Sequence, residues 1–262
     1  MTLDPGSATT PAASIPLPRT VLVTGAAGGI GSAIVTALAL AGVRVTATDR
    51  SSPGPALAGL ANVAWLQADM TSAADRARIV GAAGPRVEGV VHAAGLIDGA
   101  PWDAMEEEAI QRILSVNVVS PALLLRDLGP ALADGGAIVL VGSIAARRAS
   151  PNALFYAASK AALHSVGASL AVALAGRGIR VNVLAPGLID TPLTDQLNER
   201  LAREAGRPPD EVARARAQGI PAGRLGSPDD IAALCLQLLS GASGYVSGAT
   251  LFATGGVLAG AI

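Results

Sequence analysis

Near the amino terminus an apolar run, Thr20-Val-Leu-Val-Thr24, breaks directly into Gly25-Ala-Ala-Gly28-Gly29-Ile30-Gly31, and from Ser32 to Ala41 the apolar residues recur at helical spacing. No other stretch restricts the fold as much. A buried strand, a glycine turn and a helix in immediate succession present backbone N–H groups and a helix N-terminus to a diphosphate. Glycines are needed there because a side chain would hold the phosphates away from the backbone. Glycines also make ordinary tight turns, so the reading depends on the residues beyond the helix. There a second strand, Val43-Arg-Val-Thr-Ala-Thr48, is closed by Asp49. A dinucleotide fold places at this point the carboxylate that hydrogen-bonds the adenosine ribose. The alternative for Asp49 is a solvated loop aspartate followed by Arg50.

Three more strands are expected: Val63–Ala68 running into Asp69-Met70, Val87–Val91 running into His92-Ala-Ala94-Gly95, and Ala137–Val141 closing at Ser143. Helical stretches separate them, and that alternation predicts a parallel sheet covered on both faces. Hydrophobic residues make up 51% of the chain and aromatics only 2%, so the core must be built from Ala, Val, Leu and Ile. The 262 residues suit one large α/β domain, with no repeat and no dividing linker. A net charge of −1 gives no electrostatic reason to expect nucleic acid or an anionic membrane. No apolar run is expected to approach the length of a membrane span. Cys235 is the single cysteine and sits in a helical apolar pattern, which reads as a packed thiol and excludes an internal disulfide. Residues 1–18 are rich in Pro, Ala, Thr and Ser, and no basic residue precedes Arg19. They read as a flexible tail rather than a secretory signal, and a cytoplasmic location is expected.

The chemistry is expected between Ser143 and Lys160. Of the 19 Lys and Arg residues only Lys160 is a lysine, so this position needs a compact ammonium on a flexible stem where arginine serves everywhere else. Tyr156, one of only two tyrosines, lies four residues earlier, and an i,i+4 pair shares one face of a helix. A neighbouring positive charge favours phenolate, which is expected to lower the Tyr156 pKa and make it a general acid or base. An amphipathic surface pair is the competing reading. Ser143 adds weight to the first, since a hydroxyl at a strand's carboxyl end sits where open α/β sheets place their ligands.

Taken in order, Thr24-Gly25-x-x-x-Gly29-x-Gly31, Asp69, His92-Ala-Ala-Gly95, Asn117, Ser143, Tyr156-x-x-x-Lys160 and Pro186-Gly187 followed by Thr191 resemble the single-domain short-chain dehydrogenase/reductase superfamily over roughly residues 19–256. The resemblance implies a doubly wound, three-layer α/β/α sheet of about seven mostly parallel strands with one nicotinamide dinucleotide per subunit. It implies a catalytic domain over 19–262 with a mobile lid at about 190–227. It makes Ser143 the hydrogen-bond donor to the substrate oxygen, Tyr156 the proton-transfer group, and Lys160 the holder of the nicotinamide ribose hydroxyls. Asn117 would anchor a water in the proton relay; by itself it reads as a polar residue at a helix kink. Gly25, Gly29, Ile30 and Gly31 would meet the diphosphate, and Asp69 and Met70 the adenine. Ala94 and Gly95 would also contact the cofactor, and Pro186, Gly187, Ile189 and Thr191 would lie against the nicotinamide.

Two positions depart from the family pattern. His92 stands where asparagine is usual and reads as a substituted structural residue, with no metal site expected. Ala253-Thr254-Gly255-Gly256 lacks the aspartate that many relatives carry before the glycines. Arg147 and Arg148, and Arg200, Arg203, Arg207, Arg214 and Arg216 in the lid, are either solvated cations or contacts for an acidic substrate. Asp49 repels the 2′-phosphate of NADP, so NAD is expected, acting on a secondary alcohol or ketone that includes cyclic alcohols and dihydrodiols. The alternatives are a 3-oxoacyl-carrier-protein reductase using NADPH and a catalytically silent dinucleotide-binding sensor. The uncharged ending from Ala249 to Ile262 predicts a tail covered at an interface, and the resemblance implies a second interface through the small apolar helices around 108–132 and 152–176, which together give a homotetramer; the alternative is a tail that closes over its own sheet.

Overall fold

β1 (Thr20–Thr24) lies in the middle of the sheet because both of its faces are apolar, Val21 and Val23 being buried on one side and Leu22 on the other. Successive strand residues point to opposite faces, so a continuous apolar run needs cover on both. Around it β2 (Arg44–Asp49), β3 (Val63–Gln67), β4 (Val87–His92), β5 (Leu132–Val141), β6 (Arg180–Pro186) and β7 (Thr250–Ala253) complete a parallel sheet in the order β3-β2-β1-β4-β5-β6-β7. The computed structural model describes residues 16–97, 100, 102–149 and 152–259. The parallel sheet covered on both faces that the alternating pattern predicts is observed, in the doubly wound form that the resemblance implies.

The helices in chain order are α1 (Gly29–Leu40), α2 (Pro55–Ala58), α3 (Ala73–Ala83), α4 (Glu107–Leu114), α5 (Ser120–Leu128), α6 (Leu154–Leu174), α7 (Pro192–Ala205), α8 (Pro209–Gln218) and α9 (Pro228–Leu239). α1 and α9 cover one face, packing Ile34, Leu38, Ile231 and Cys235 over Val21, Val23 and Val139. α3, α5 and α6 cover the other, packing Ile79, Leu124, Leu128 and Leu163 over Leu22, Val90 and Ile138. The core is aliphatic, as the composition requires, and each fully buried Leu or Ile contributes about 2–3 kcal/mol. Cys235 is fully buried, and burial pushes its thiol pKa up, so it behaves as a packing residue.

Three expectations are adjusted. β5 begins at Leu132, ahead of the expected start, because Leu132 pairs with Val87 and the ladder shifts register before Gly89. The Asp134-Gly-Gly136 stretch is absorbed into the strand as an irregularity, with Gly135 at φ 76°. The expected tail lies outside the described residues up to position 15, but Pro16–Pro18 are docked: the Pro16 carbonyl accepts from Gly241 N at 3.2 Å and Leu17 packs on the core. Finally, 107–128 and 154–177 are each long and apolar enough, by length and composition, to cross a bilayer. The expectation that no segment reaches that length is corrected. Here they flank the sheet, α5 burying Leu124 and Leu128 and α6 burying Leu163, Gly167 and Ala171. In 154–177 an alanine-rich outer face raises the apolarity without adding to the core.

The strand order reverses between β1 and β4, and at such a switch point the carboxyl ends of the strands open into a crevice. Gly25, His92, Ser143 and Pro186 stand at or just past the carboxyl ends of β1, β4, β5 and β6.

Candidate active site

The glycine turn fits a dinucleotide. Gly25 is held at φ 69°, and a methyl there would lie 2.3 Å from Ala94 N; one at Gly31 would lie 2.0 Å from the Gly25 carbonyl oxygen. Only glycine lets β1, the loop after β4 and α1 close on one another. No side chain caps the N-terminus of α1, which leaves its first amides for an anionic ligand. Asp49, at the end of β2, accepts from Ala27 N at 3.1 Å and from Ser51 N at 3.0 Å. The carboxylate therefore braces the turn, and a carboxylate has further lone pairs with which ribose hydroxyls can bond. These features suit a nicotinamide dinucleotide.

Tyr156 and Lys160 stand one turn apart on α6, with the Lys160 ammonium 5.9 Å from the Tyr156 ring centroid. Lys160 is buried and donates from Nζ to the Val141 carbonyl at 3.0 Å. Burial lowers its pKa from 10.5 to about 8. Ser143 is extended at the end of β5; its Oγ accepts from Ala145 N at 3.1 Å, and it lines the same cavity as Tyr156. The direction expected for Tyr156 is corrected here. Burial raises the phenol pKa above 10.0, and the nearby Ser143 hydroxyl offsets only part of that. Burial is the dominant cause, and the Lys160 charge does not reverse it.

Asn117 lies in a π-helical turn, Ser115–Val119, between α4 and α5. Such turns insert an extra residue and re-aim a side chain. Asn117 Oδ1 accepts from Leu96 N at 2.8 Å, and Nδ2 donates to the Leu96 carbonyl and to Ser159 Oγ, both at 2.9 Å. Ser159 Oγ in turn donates to the Tyr156 carbonyl at 2.7 Å. A buried chain of hydrogen bonds thus links the loop after β4 to the turn of α6 that carries Tyr156. His92 is buried, with Nδ1 2.9 Å from Thr24 Oγ1, and ties the ends of β4 and β1. Burial, and next the Lys160 charge, push its pKa down to about 3, so it is neutral at working pH. Among the described residues no group of three or more His, Cys, Asp or Glu could hold a metal ion.

Gly95, Ser143, Tyr156, Lys160, Gly187 and Thr191 line one cavity of about 580 Å³. A hollow of about 710 Å³ at the opposite ends of the strands, around Arg86, Glu88 and Arg180, holds none of the candidate residues.

Residues 25–258 match the family described as enoyl-(acyl carrier protein) reductase. Galactitol 2-dehydrogenase of Agrobacterium fabrum is 33% identical over 248 residues, covering 91% of this chain and 96% of its own length. The chain belongs to the short-chain dehydrogenase/reductase superfamily. The 3-oxoacyl-[acyl-carrier-protein] reductase MabA of Mycobacterium bovis is 34% identical over 245 residues, covering 91% of this chain and 92% of its own. The crystal structure of levodione reductase superposes with a TM-score of 0.85 at 28% identity, covering 92% of this chain and 98% of that one. As a short-chain dehydrogenase/reductase, the protein is an oxidoreductase acting on alcohols or ketones.

Within this short-chain dehydrogenase/reductase the sequence-predicted positions separate by location. Ile30, Pro186 and Ile189 line the cavity with the catalytic candidates, and Ala94 packs beside Gly25. Asp69 is exposed past β3, accepting from Thr71 N and Oγ1 at 2.8 Å, while Met70 is buried in the core below it. Three contributors were missed. Ser159 was readable, since it sits one turn from Tyr156. His164 was not: it lies beneath Gly142, where a methyl would come 2.3 Å from its Nε2, and packs edge-on against Phe252 at 5.9 Å. Asn198, which orients Arg216, was the third. Arg147 stacks over Phe252 at 5.8 Å and is not a cavity residue, whereas Arg148 is.

Proposed function

We propose that this enzyme moves hydride between NAD and a secondary alcohol or ketone, with Ser143, Tyr156, Lys160 and Asn117 as its catalytic set. The observation that carries the reading is the convergence of Ser143, Tyr156 and buried Lys160 on one cavity at the switch point. When bound, the nicotinamide supplies or accepts the hydride. Ser143 and Tyr156 converge on one substrate oxygen. The phenol is protonated at neutral pH, because burial raises its pKa, and so it is set to give a proton to a ketone oxygen. Lys160 supplies ammonium donors for ribose hydroxyls next to that phenol. Asn117 holds the loop at Leu96 in place and offers the anchor for a relay water.

Asp49 supports NAD: its carboxylate suits ribose hydroxyls and opposes a dianionic 2′-phosphate. Gly25, Gly29, Ile30 and Gly31 would take the diphosphate, Asp69 and Met70 the adenine, and Ala94, Gly95, Pro186, Gly187, Ile189 and Thr191 the nicotinamide half. The aliphatic wall of Leu96, Ile97, Ile144, Leu193, Leu197 and Ile220 favours a cyclic alcohol or dihydrodiol over a polyol. A 3-oxoacyl-carrier-protein reductase using NADPH is the second reading, favoured by Arg50 beside Asp49 and by the MabA match. The lid spans about 190–227. A homotetramer in the cytoplasm completes the proposal: Val119 on the α4–α5 segment, Leu154 and Val172 on α6, and Tyr245, Val246 and Leu251 at the β7 edge are exposed apolar groups on two separate faces. The test is turnover by the purified full-length protein of a panel of ring and open-chain ketones with NADH and NADPH. Turnover with NADH supports the reading; none with either cofactor overturns it.

A further inference from the structure

The lid arginines divide by partner. Arg200, Arg207 and Arg214 each reach a carboxylate one helical turn away: Glu204 at 3.6 Å, Glu211 at 3.5 Å and Asp210 at 2.6 Å. Arg203 is exposed on the outside of α7. Arg216 differs from all of these. It is half-buried, it lines the cavity, and among the described residues it pairs with no carboxylate. Its guanidinium donates to Asn198 Oδ1, and Asn198 is itself buried. Burial pulls the Arg216 pKa down. A cation drawn partly out of water with no counter-charge bears a desolvation cost that an anionic ligand would offset. Four of its five N–H donors remain after Asn198 has taken one.

Its position separates this cation from the diphosphate. Thr191, at the start of α7, touches the glycine turn: a methyl on Gly29 would lie 2.6 Å from Thr191 Cγ2. Asn198 is seven residues further along α7, about 10 Å at the helical rise, so Arg216 is held well away from that end. Around it the cavity is aliphatic, with Leu193, Leu197, Ile220 and Val257. Arg148, five residues past Ser143, is exposed on the cavity lining and also lacks a carboxylate among the described residues.

We propose that the substrate is an apolar keto or hydroxy acid whose carboxylate is gripped by Arg216, with Arg148 as a second cation at the mouth. The reacting carbon then lies at Ser143 and Tyr156, and the aliphatic wall covers the body between. This rests on the oxidoreductase reading. A planar guanidinium fork matches a carboxylate two bonds at a time, which the strongly hydrated ammonium of lysine does not.

The experiment compares 3-oxocyclohexane-carboxylate with its methyl ester, by kcat/KM with NADH and by calorimetric binding to the NAD-loaded protein. The acid should be preferred by about 10- to 100-fold, the worth of one charged hydrogen-bonded pair. In Arg216→Gln that preference should collapse toward unity, mostly through KM, while Arg216→Lys recovers part of it and the dissociation constant for NAD is unmoved. Equal handling of acid and ester by the wild type overturns the proposal. So does a variant that weakens NAD in place of the acid, which would assign the cation to the cofactor's phosphates. Should Arg216→Gln fail to fold, Arg148→Gln carries the same comparison, and an unaltered preference there removes Arg148. Absence of turnover with any ketone refutes the oxidoreductase reading instead, and the calorimetric preference for acid over ester still decides the anion site.

Discussion

Replacing Lys160 with methionine should abolish activity and yet stabilise the protein at neutral pH, and the pH dependence of the gain identifies its cause. Burial lowers the ammonium pKa from 10.5 to about 8. A group whose folded pKa lies below its unfolded value costs stability while it is charged in both states. The cost is therefore full below pH 8 and is relieved as the pH rises toward 10.5, because in that window the unfolded chain binds the extra proton. At about 1.4 kcal/mol per pH unit the cost is about 3 kcal/mol. Methionine has a similar length and no charge, so it removes that cost. It also deletes the Nζ bond to the Val141 carbonyl, 3.0 Å long, which offsets about 1–2 kcal/mol. A net gain of about 1–2 kcal/mol is expected at pH 7, shrinking through pH 8–10.5 and ending at or below zero. Urea unfolding followed by the fluorescence of Trp65 and Trp102, run on both proteins across that range, measures it. A variant less stable than wild type at pH 7, with a gap that stays constant to pH 10.5, refutes the reasoning.

Tyr156→Phe should lower turnover by about 10²- to 10⁴-fold while NAD binding, read by fluorescence titration, survives; substantial residual turnover would put proton transfer on another residue. The wild-type ratio of kcat/KM for NAD over NADP should exceed one, and a ratio at or below one rejects the role given to Asp49. Asp49→Ala should move that ratio toward NADP and also weaken both cofactors, because Ala27 N loses its acceptor at 3.1 Å. Light scattering should give a four-subunit mass for the intact chain, and a monomer sinks the tetramer. A chain ending at Gly256 should lose mass if the tail is an interface; it also removes Val257 from its own cavity, so the activity should fall whatever the mass.

What was legible in the sequence is what local chemistry dictates. The run from Thr20 to Gly31 had to be strand, turn and helix, because no other conformation suits those apolar spacings and glycines in a row. The i,i+4 spacing of Tyr156 and Lys160 placed them on one helical face before any tertiary contact was known, and the unbroken apolar strands required cover on both sides. What only the tertiary structure decided depends on how much water each group loses and on neighbours distant in the chain. The pKa of Tyr156 is raised, against the expectation from Lys160 alone, because burial dominates. Asn117 is satisfied only because a π-helical turn brings it to Leu96, 21 residues away, and to Ser159, 42 residues away. Arg216 looks like its neighbours in the sequence, each an arginine in a mixed-charge helix. It becomes distinct only when α8 packs on α7 and turns it toward Asn198 and the cavity, away from the carboxylates that the other arginines keep. Spacing along the chain sets which side chains share a face, whereas desolvation and long-range pairing, which set charge and reactivity, exist only once the faces meet.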